Sequence, residues 1–215
     1  MAKVICPPIS GRVGDKVYVN GRFGQIVRPY VPPRNPKSPL QTQTRQGFGA
    51  LASQWRGLAP EARFAWCAAA IRDGLRISGY SYFMKLNAPR IHIGLARLDY
   101  PPSQRPGFNV NGVAEVAVTG TGADLRIKLH VPSPPGQYTL VEVAAPVSAG
   151  VRFVQGYRYV GLLPAPVDGW SDITELVVGR FGEPTRGKVL FIRTRQQVDG
   201  WMDAGKVTSA LVPSG

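Results

Sequence analysis

Asp124-Leu125-Arg126-Ile127-Lys128-Leu129-His130-Val131 alternates polar and apolar side chains without a fault. A period of two sustained over such a stretch marks a β-strand with one face in a core and the other in water. Segments of the same character recur near 113–118, 138–144, 157–163, 173–180, 188–195 and 206–212, separated by turn phrases such as Pro-Ser-Pro-Pro-Gly and Phe-Gly-Glu-Pro. About seven short strands in about 100 residues predict a small antiparallel β-sandwich over residues 112–215.

Upstream of Pro101 the pattern turns helical. Ser38, Pro39 and Gln41 form a Ser-x-x-Gln capping box with proline at the first helical position, predicting a helix to about Arg56 with Leu40, Thr44, Phe48, Leu51, Trp55 and Leu58 on one stripe. Gly47 and Gly49 inside it cost about 1 kcal/mol each relative to alanine, or mark close approach of a partner backbone. Pro60 and Glu61 open a second helix with Phe64, Cys67, Ile71 and Leu75 as its inward face, and a third covers Tyr80 to Asn87. Further upstream, Asn20-Gly21 between Val17-Tyr18-Val19 and Phe23, Ile26 and Val27 predicts a two-stranded hairpin. Prolines 32, 33, 36 and 39 make the next stretch a stiff connector. The fold class expected is α+β multidomain: a hairpin arm and connector over 1–37, a small helical domain over 38–100, a linker over 101–111 and the sandwich over 112–215.

Charge divides along the same lines. Of the formal +13, the first 100 residues carry +11. A split this sharp gives the N-terminal half an acidic partner and the sandwich a different task. The candidate contacts are Arg12, Lys16, Tyr18, Arg22, Phe23, Arg28, Tyr30, Arg34, Lys37 and Arg45. These basic and aromatic side chains could grip phosphates and stack on bases, dock on an acidic protein surface, or keep an edge strand from aggregating.

Three likenesses bear on this plan. Over residues 112–213, with phrases such as Pro135–Val143 and Gly187–Gln196, the chain resembles a fibronectin type III or immunoglobulin-like domain, which implies fold and no particular function. Trp55-x-x-Leu58 with Arg63, Trp66 and Ala70 is similar to a helix corner of the HMG box, although a hairpin and a proline strip stand where that box has its wedge-bearing helix. The layout of residues 35–45, followed by Trp55–Leu58 and Arg63–Trp66, resembles uncharacterised bacterial and phage proteins.

Catalytic chemistry has little to stand on. His92 and His130 have no ligand spacing to another His, Cys or carboxylate. The stretch from Gly11 to Lys16 lacks the Gly-Lys-Ser/Thr ending of a phosphate-binding loop. The acid pairs Glu61/Asp73 and Asp168/Asp172 have no convergent partners, so no catalytic residue, metal or cofactor is expected. Cys6 and Cys67 belong to no cysteine motif and fit a reducing compartment or simple indifference to redox state. Met1–Pro8 has no apolar signal core and no stretch approaches a membrane span, predicting a protein made in the cytoplasm without a membrane partner. Trp170 and Trp201, each beside a turn glycine, are either a carbohydrate-type platform or packing at the sandwich edge. Together these features predict a non-enzymatic assembly subunit of a phage-like virion or filament, with sister subunits or other structural proteins as partners. Duplex DNA bound through the hairpin and helices is the alternative.

Overall fold

The structure, a computed structural model, describes residues 9–21, 24–32, 35, 37–108, 112–131 and 138–213. It is mixed α+β, and its contacts divide it into a smaller unit, Met1–Gln43, and a larger one, Thr44–Gly215.

The smaller unit holds an antiparallel sheet of β1 (Gly11–Val13), β2 (Lys16–Gly21) and β3 (Gly24–Pro29), in chain order. The expected turn at Asn20-Gly21 is displaced. Asn20 pairs with Gln25 and Gly21 with Gly24, so both residues belong to the ladder; Arg22 and Phe23 lie outside the described residues. Side-chain pairing accounts for the shift. A turn at Asn20-Gly21 would set Val19 against Arg22, whereas the adopted register sets Val19 against Ile26 and Tyr18 against Val27. The strand β1 is an addition to the expected two. It is joined to β2 by Gly14-Asp15, with Gly14 at φ 61°, the left-handed conformation that the first position of a tight hairpin turn takes without strain in glycine.

Helix α1 (Pro39–Arg56) begins where the capping box places it, with the Gln41 amide donating to Ser38 Oγ at 3.4 Å. Gly47 and Gly49 have open space around them, so no packing within the chain asks for a glycine there. Helix α2 (Pro60–Arg72) is turned the other way from the expectation. Ala62, Trp66, Ala69 and Ala70 are buried, while Phe64 and Ile71 face solvent, Cys67 is exposed at the flank where it meets Gly79, and Leu75 packs at the margin of the core. The alanines explain the choice. They let α3 (Gly79–His92) approach closely and leave room for the Trp66 indole between Tyr82 and Phe83, at ring separations of 5.5 Å, with its N–H on the Asp99 carbonyl at 2.9 Å. Ser78 caps α3 through the Ser81 amide, and the helix runs on past Pro89, its last turn tied by the Leu95 amide on the Arg90 carbonyl.

The rest is antiparallel sheet. Strands β4 (Glu115–Thr119), β5 (Arg126–His130) and β9 (Trp170–Asp172) form one sheet, and β6 (Tyr138–Ala144), β7 (Val147–Ser148), β8 (Tyr157–Leu162), β10 (Lys188–Val198), β11 (Trp201–Met202) and β12 (Lys206–Leu211) form a six-stranded one built on β10. The alternating segment 124–131 puts Leu125, Ile127, Leu129 and Val131 into one core with Val141, Val143, Leu190 and Ile192 of the larger sheet.

The expected strand over 173–180 is instead helix α4 (Thr174–Phe181). Asp172 accepts from both the amide and the hydroxyl of Thr174 at 2.9 and 2.6 Å, fixing a helical start. Ile173, Val177 and Phe181 then fall at helical spacing on the sheet core.

The helices and the sheet meet at Trp201, which is buried in the helical core and not at a sandwich edge. Asp199 and Gly200 both take positive φ, 48° and 82°, in the two-residue turn between β10 and β11. A side chain at position 200 would collide with the Leu86 carbonyl oxygen, so the turn is seated directly on α3. The Trp201 ring lies 6.0 Å from Tyr82, with Lys85 Nζ 4.8 Å and the Arg105 guanidinium 4.7 Å from its centre. At the other end of α3, the His92 ring packs at a tilt against Tyr159 of β8, with centroids 4.7 Å apart. The proline-rich stretch after Asp99 is strapped to the same helices: Arg72 donates to the carbonyls of Pro102 and Ser103, and Phe108 packs on the helical core.

Candidate acidic-partner interface

Strand register decides which predicted contacts share a face. Arg12 stands opposite Val17 and Val17 opposite Arg28, so these three side chains point the same way. Alternation along the strands adds Val19 and Ile26 to that face. The other face carries Val13, Lys16, Tyr18 and Val27. The basic side chains are therefore divided between two faces, each mixed with exposed aliphatics.

Individual placements follow from local bonding. Arg12 is held in place, its Nε donating to the Gly14 carbonyl at 2.9 Å and its guanidinium 3.7 Å from the centre of the Tyr30 ring. Tyr30 is fixed in turn by its amide on the Asp15 carbonyl at 2.6 Å. Lys16 and Arg28 have no side-chain bond or ion pair among the described residues. Lys37 is exposed at φ 49°, one residue before the helix cap, and Arg45 lies on α1 in the larger unit. Arg22, Phe23 and Arg34 lie outside the described residues.

No described residue of this sheet is buried. Val13, Ile26 and Val27 are each half or more exposed, and Val31 just beyond β3 is 77% exposed. A small sheet gains its stability from covering an apolar face.

The cations of the helical region differ in kind. Arg63 donates to the Leu58 carbonyl at 3.1 Å, Arg90 to the Ala96 carbonyl at 2.9 Å, and Arg97 pairs with Asp99 at 2.6 Å. Arg72 grips Asp73, whose second oxygen accepts from the Tyr82 hydroxyl. The bond from Arg72 holds the Asp73 carboxyl below its usual range against a smaller opposing effect of burial, and the Tyr82 bond adds to it. Burial first, and then that same bond, push the Tyr82 phenol well above its ordinary value. Trp55, Leu58 and Trp66 of the HMG-like corner pack in this helical core, and Ala70 is buried there too.

No protein family, curated protein or solved structure matches this chain. The described surface has open clefts beside α4, the larger about 490 Å³, lined by Arg126, Pro164, Asp172, Thr174, Glu175 and Leu176. Burial opposes ionisation of Asp172, but the two Thr174 bonds with Lys128 and Arg126 nearby outweigh it and hold the carboxyl below its usual range. This carboxylate is a helix cap in full use. His130 is half-buried, stacked on Trp170 at 4.8 Å with Nδ1 4.0 Å from Glu115. Among the described residues no group of three or more His, Cys, Asp or Glu could hold a metal ion, and no helix is long and apolar enough to cross a membrane.

The exposed aliphatics that charge counting overlooked are Val13, Val19, Ile26 and Val27. Their signal was present in the sequence, since a strand that needs no core has no call for valine on both faces.

Proposed function

We propose that the chain is a non-enzymatic structural subunit whose N-terminal sheet is completed by a neighbouring subunit in a self-assembled particle or filament of phage-like type. One observation carries this reading: a three-stranded sheet with apolar residues on both faces and no buried residue among those described. Such a sheet is marginal until something covers it. The aliphatics give the contact its free energy, and the unpaired Lys16 and Arg28 select an acidic surface and speed the encounter. Strand addition along the free edge of β1 or β3 is the natural mode, since an edge offers unpaired amides and carbonyls to an incoming chain. In this reading the paired sheets of the larger unit are a variant of the immunoglobulin-like or fibronectin type III sandwich, with α4 in place of one strand. They serve as the body that the N-terminal sheet links to its neighbours.

The same free cations favour duplex DNA as a second partner class. Negative-stain microscopy and sedimentation of the purified protein, with and without duplex DNA, separate the two. Particles or filaments without DNA support assembly. A protein that stays monomeric at high concentration and shifts DNA with a steep salt dependence, about 0.9 in log–log slope for each phosphate contact, overturns it.

A further inference from the structure

We infer that the outward face of α2 is a two-fold self-association surface that takes α2 of a second copy of this chain. The inference rests on the assembly reading and names one of its contacts. Phe64 is 75% exposed and Ile71 79% exposed, with Cys67 and Ala68 exposed between them. Positions 64, 67, 68 and 71 form a single stripe opposite the buried stripe of Ala62, Trp66, Ala69 and Ala70. A helix that has already buried one face has no fold-related reason to keep a second apolar one.

The order of sizes identifies the occupant. Bulky, small, small, bulky reads the same from either end. An antiparallel copy centred between positions 67 and 68 therefore sets each Phe64 over Ile71 of the second copy and brings the small Cys67 and Ala68 together at the axis. Small residues at a crossing let helices approach to the short end of the usual range of about 8–10 Å. This is the self-complementarity of an isologous contact.

Charge sets the direction. Glu61 at the start of α2 and Arg76 beyond its end have no partner among the described residues. The antiparallel arrangement brings Glu61 of each copy toward Arg76 of the other, where a parallel one would bring like to like. One helix face buries less than the roughly 800 Å² per partner of a standard interface, so this contact is weak alone and gains strength through repetition in an assembly.

The test uses the full chain carrying Cys6→Ser, which leaves Cys67 as its one thiol, and a short bis-maleimide as probe. Covalent dimer is expected at micromolar protein. Its rate should fall at least about tenfold in Phe64→Glu/Ile71→Glu and in Ala68→Glu, and thermal melting should hold in the latter even if the former is perturbed. Glu61→Arg should slow the reaction and Glu61→Arg/Arg76→Glu should restore it. Equal crosslinking in parent and variants, or none in the parent, overturns the proposal. If Ala68→Glu still forms wild-type particles or filaments, the α2 pairing fails and the assembly reading stands. A crosslinked parent that never grows beyond a dimer leaves the pairing standing and sinks the assembly reading.

Discussion

Arginine has opposite employment in the two regions that carry the chain's charge. Around the helical core, the guanidinium groups of Arg63, Arg72, Arg90, Arg97 and Arg105 end on backbone carbonyls, on carboxylates, or over the Trp201 ring, and their charge is part of the fold; Arg56 and Arg76 are the exceptions among the described residues. Among the described residues of the N-terminal sheet only Arg12 is engaged in this way, through Gly14 and Tyr30, while Lys16 and Arg28 stand free among exposed valines and isoleucine. Net charge counts both regions alike. What separates an internal strut from a partner contact is whether an acceptor lies within the same chain, and only the structure answers that.

The contrast can be broken most severely at Trp201. Trp201→Ala should cost about 3–5 kcal/mol, as truncation of a buried aromatic does, and chemical denaturation should show helical and sheet signals falling together. Loss of helical signal with the sheet transition unmoved would mean that the two cores are energetically separate. Next in size, Gly200→Ala forces a positive φ on alanine and drives its Cβ to 2.0 Å from the Leu86 carbonyl oxygen. Destabilisation of more than about 1 kcal/mol is expected in the same assay.

Tyr82→Phe tests whether the charged cluster at Asp73 is structural. Removing the hydroxyl should cost about 1–2 kcal/mol at neutral pH. Because the Asp73 carboxyl lies below its ordinary 3.8 when folded, its ionised form stabilises the protein above that pH, and this stabilisation is lost as pH falls through the folded value. The penalty of Tyr82→Phe should therefore shrink in acid, which urea titrations at several pH values would reveal. A penalty independent of pH would detach the tyrosine from Asp73. The smallest effect belongs to the free cations: Lys16→Ala/Arg28→Ala should leave the melting temperature within the span of about 0.5 kcal/mol while weakening self-association in sedimentation. A large loss of stability instead would make them struts like their helical counterparts.

Much of this architecture is legible in the residues. Clean alternation at 124–131 and the Ser38 capping box gave elements whose periodicity and caps agree with their tertiary setting. The misreadings share a cause. Helix α2 has two apolar stripes, and periodicity cannot choose between them; the choice falls to a tryptophan whose indole partner is 33 residues away. At 174–181 a pair of valines reads as strand, but the Asp172 cap and the spacing of Ile173, Val177 and Phe181 prevail. At Asn20-Gly21 a strong local turn signal yields to cross-strand pairing of Val19 with Ile26. Of the candidate interface, the cations were visible, but their division between two faces required the register.

The seating of the Asp199-Gly200 turn on α3 also bears on the order in which the molecule is made. During synthesis α2 and α3 emerge more than 100 residues ahead of the indole that closes their core. Until position 201 leaves the ribosome, Tyr82 and Leu86 have one side open, and the helices cannot reach their final stability by themselves. The larger unit thus completes as a whole and late, and a chain that stops before Trp201 leaves its helical core open.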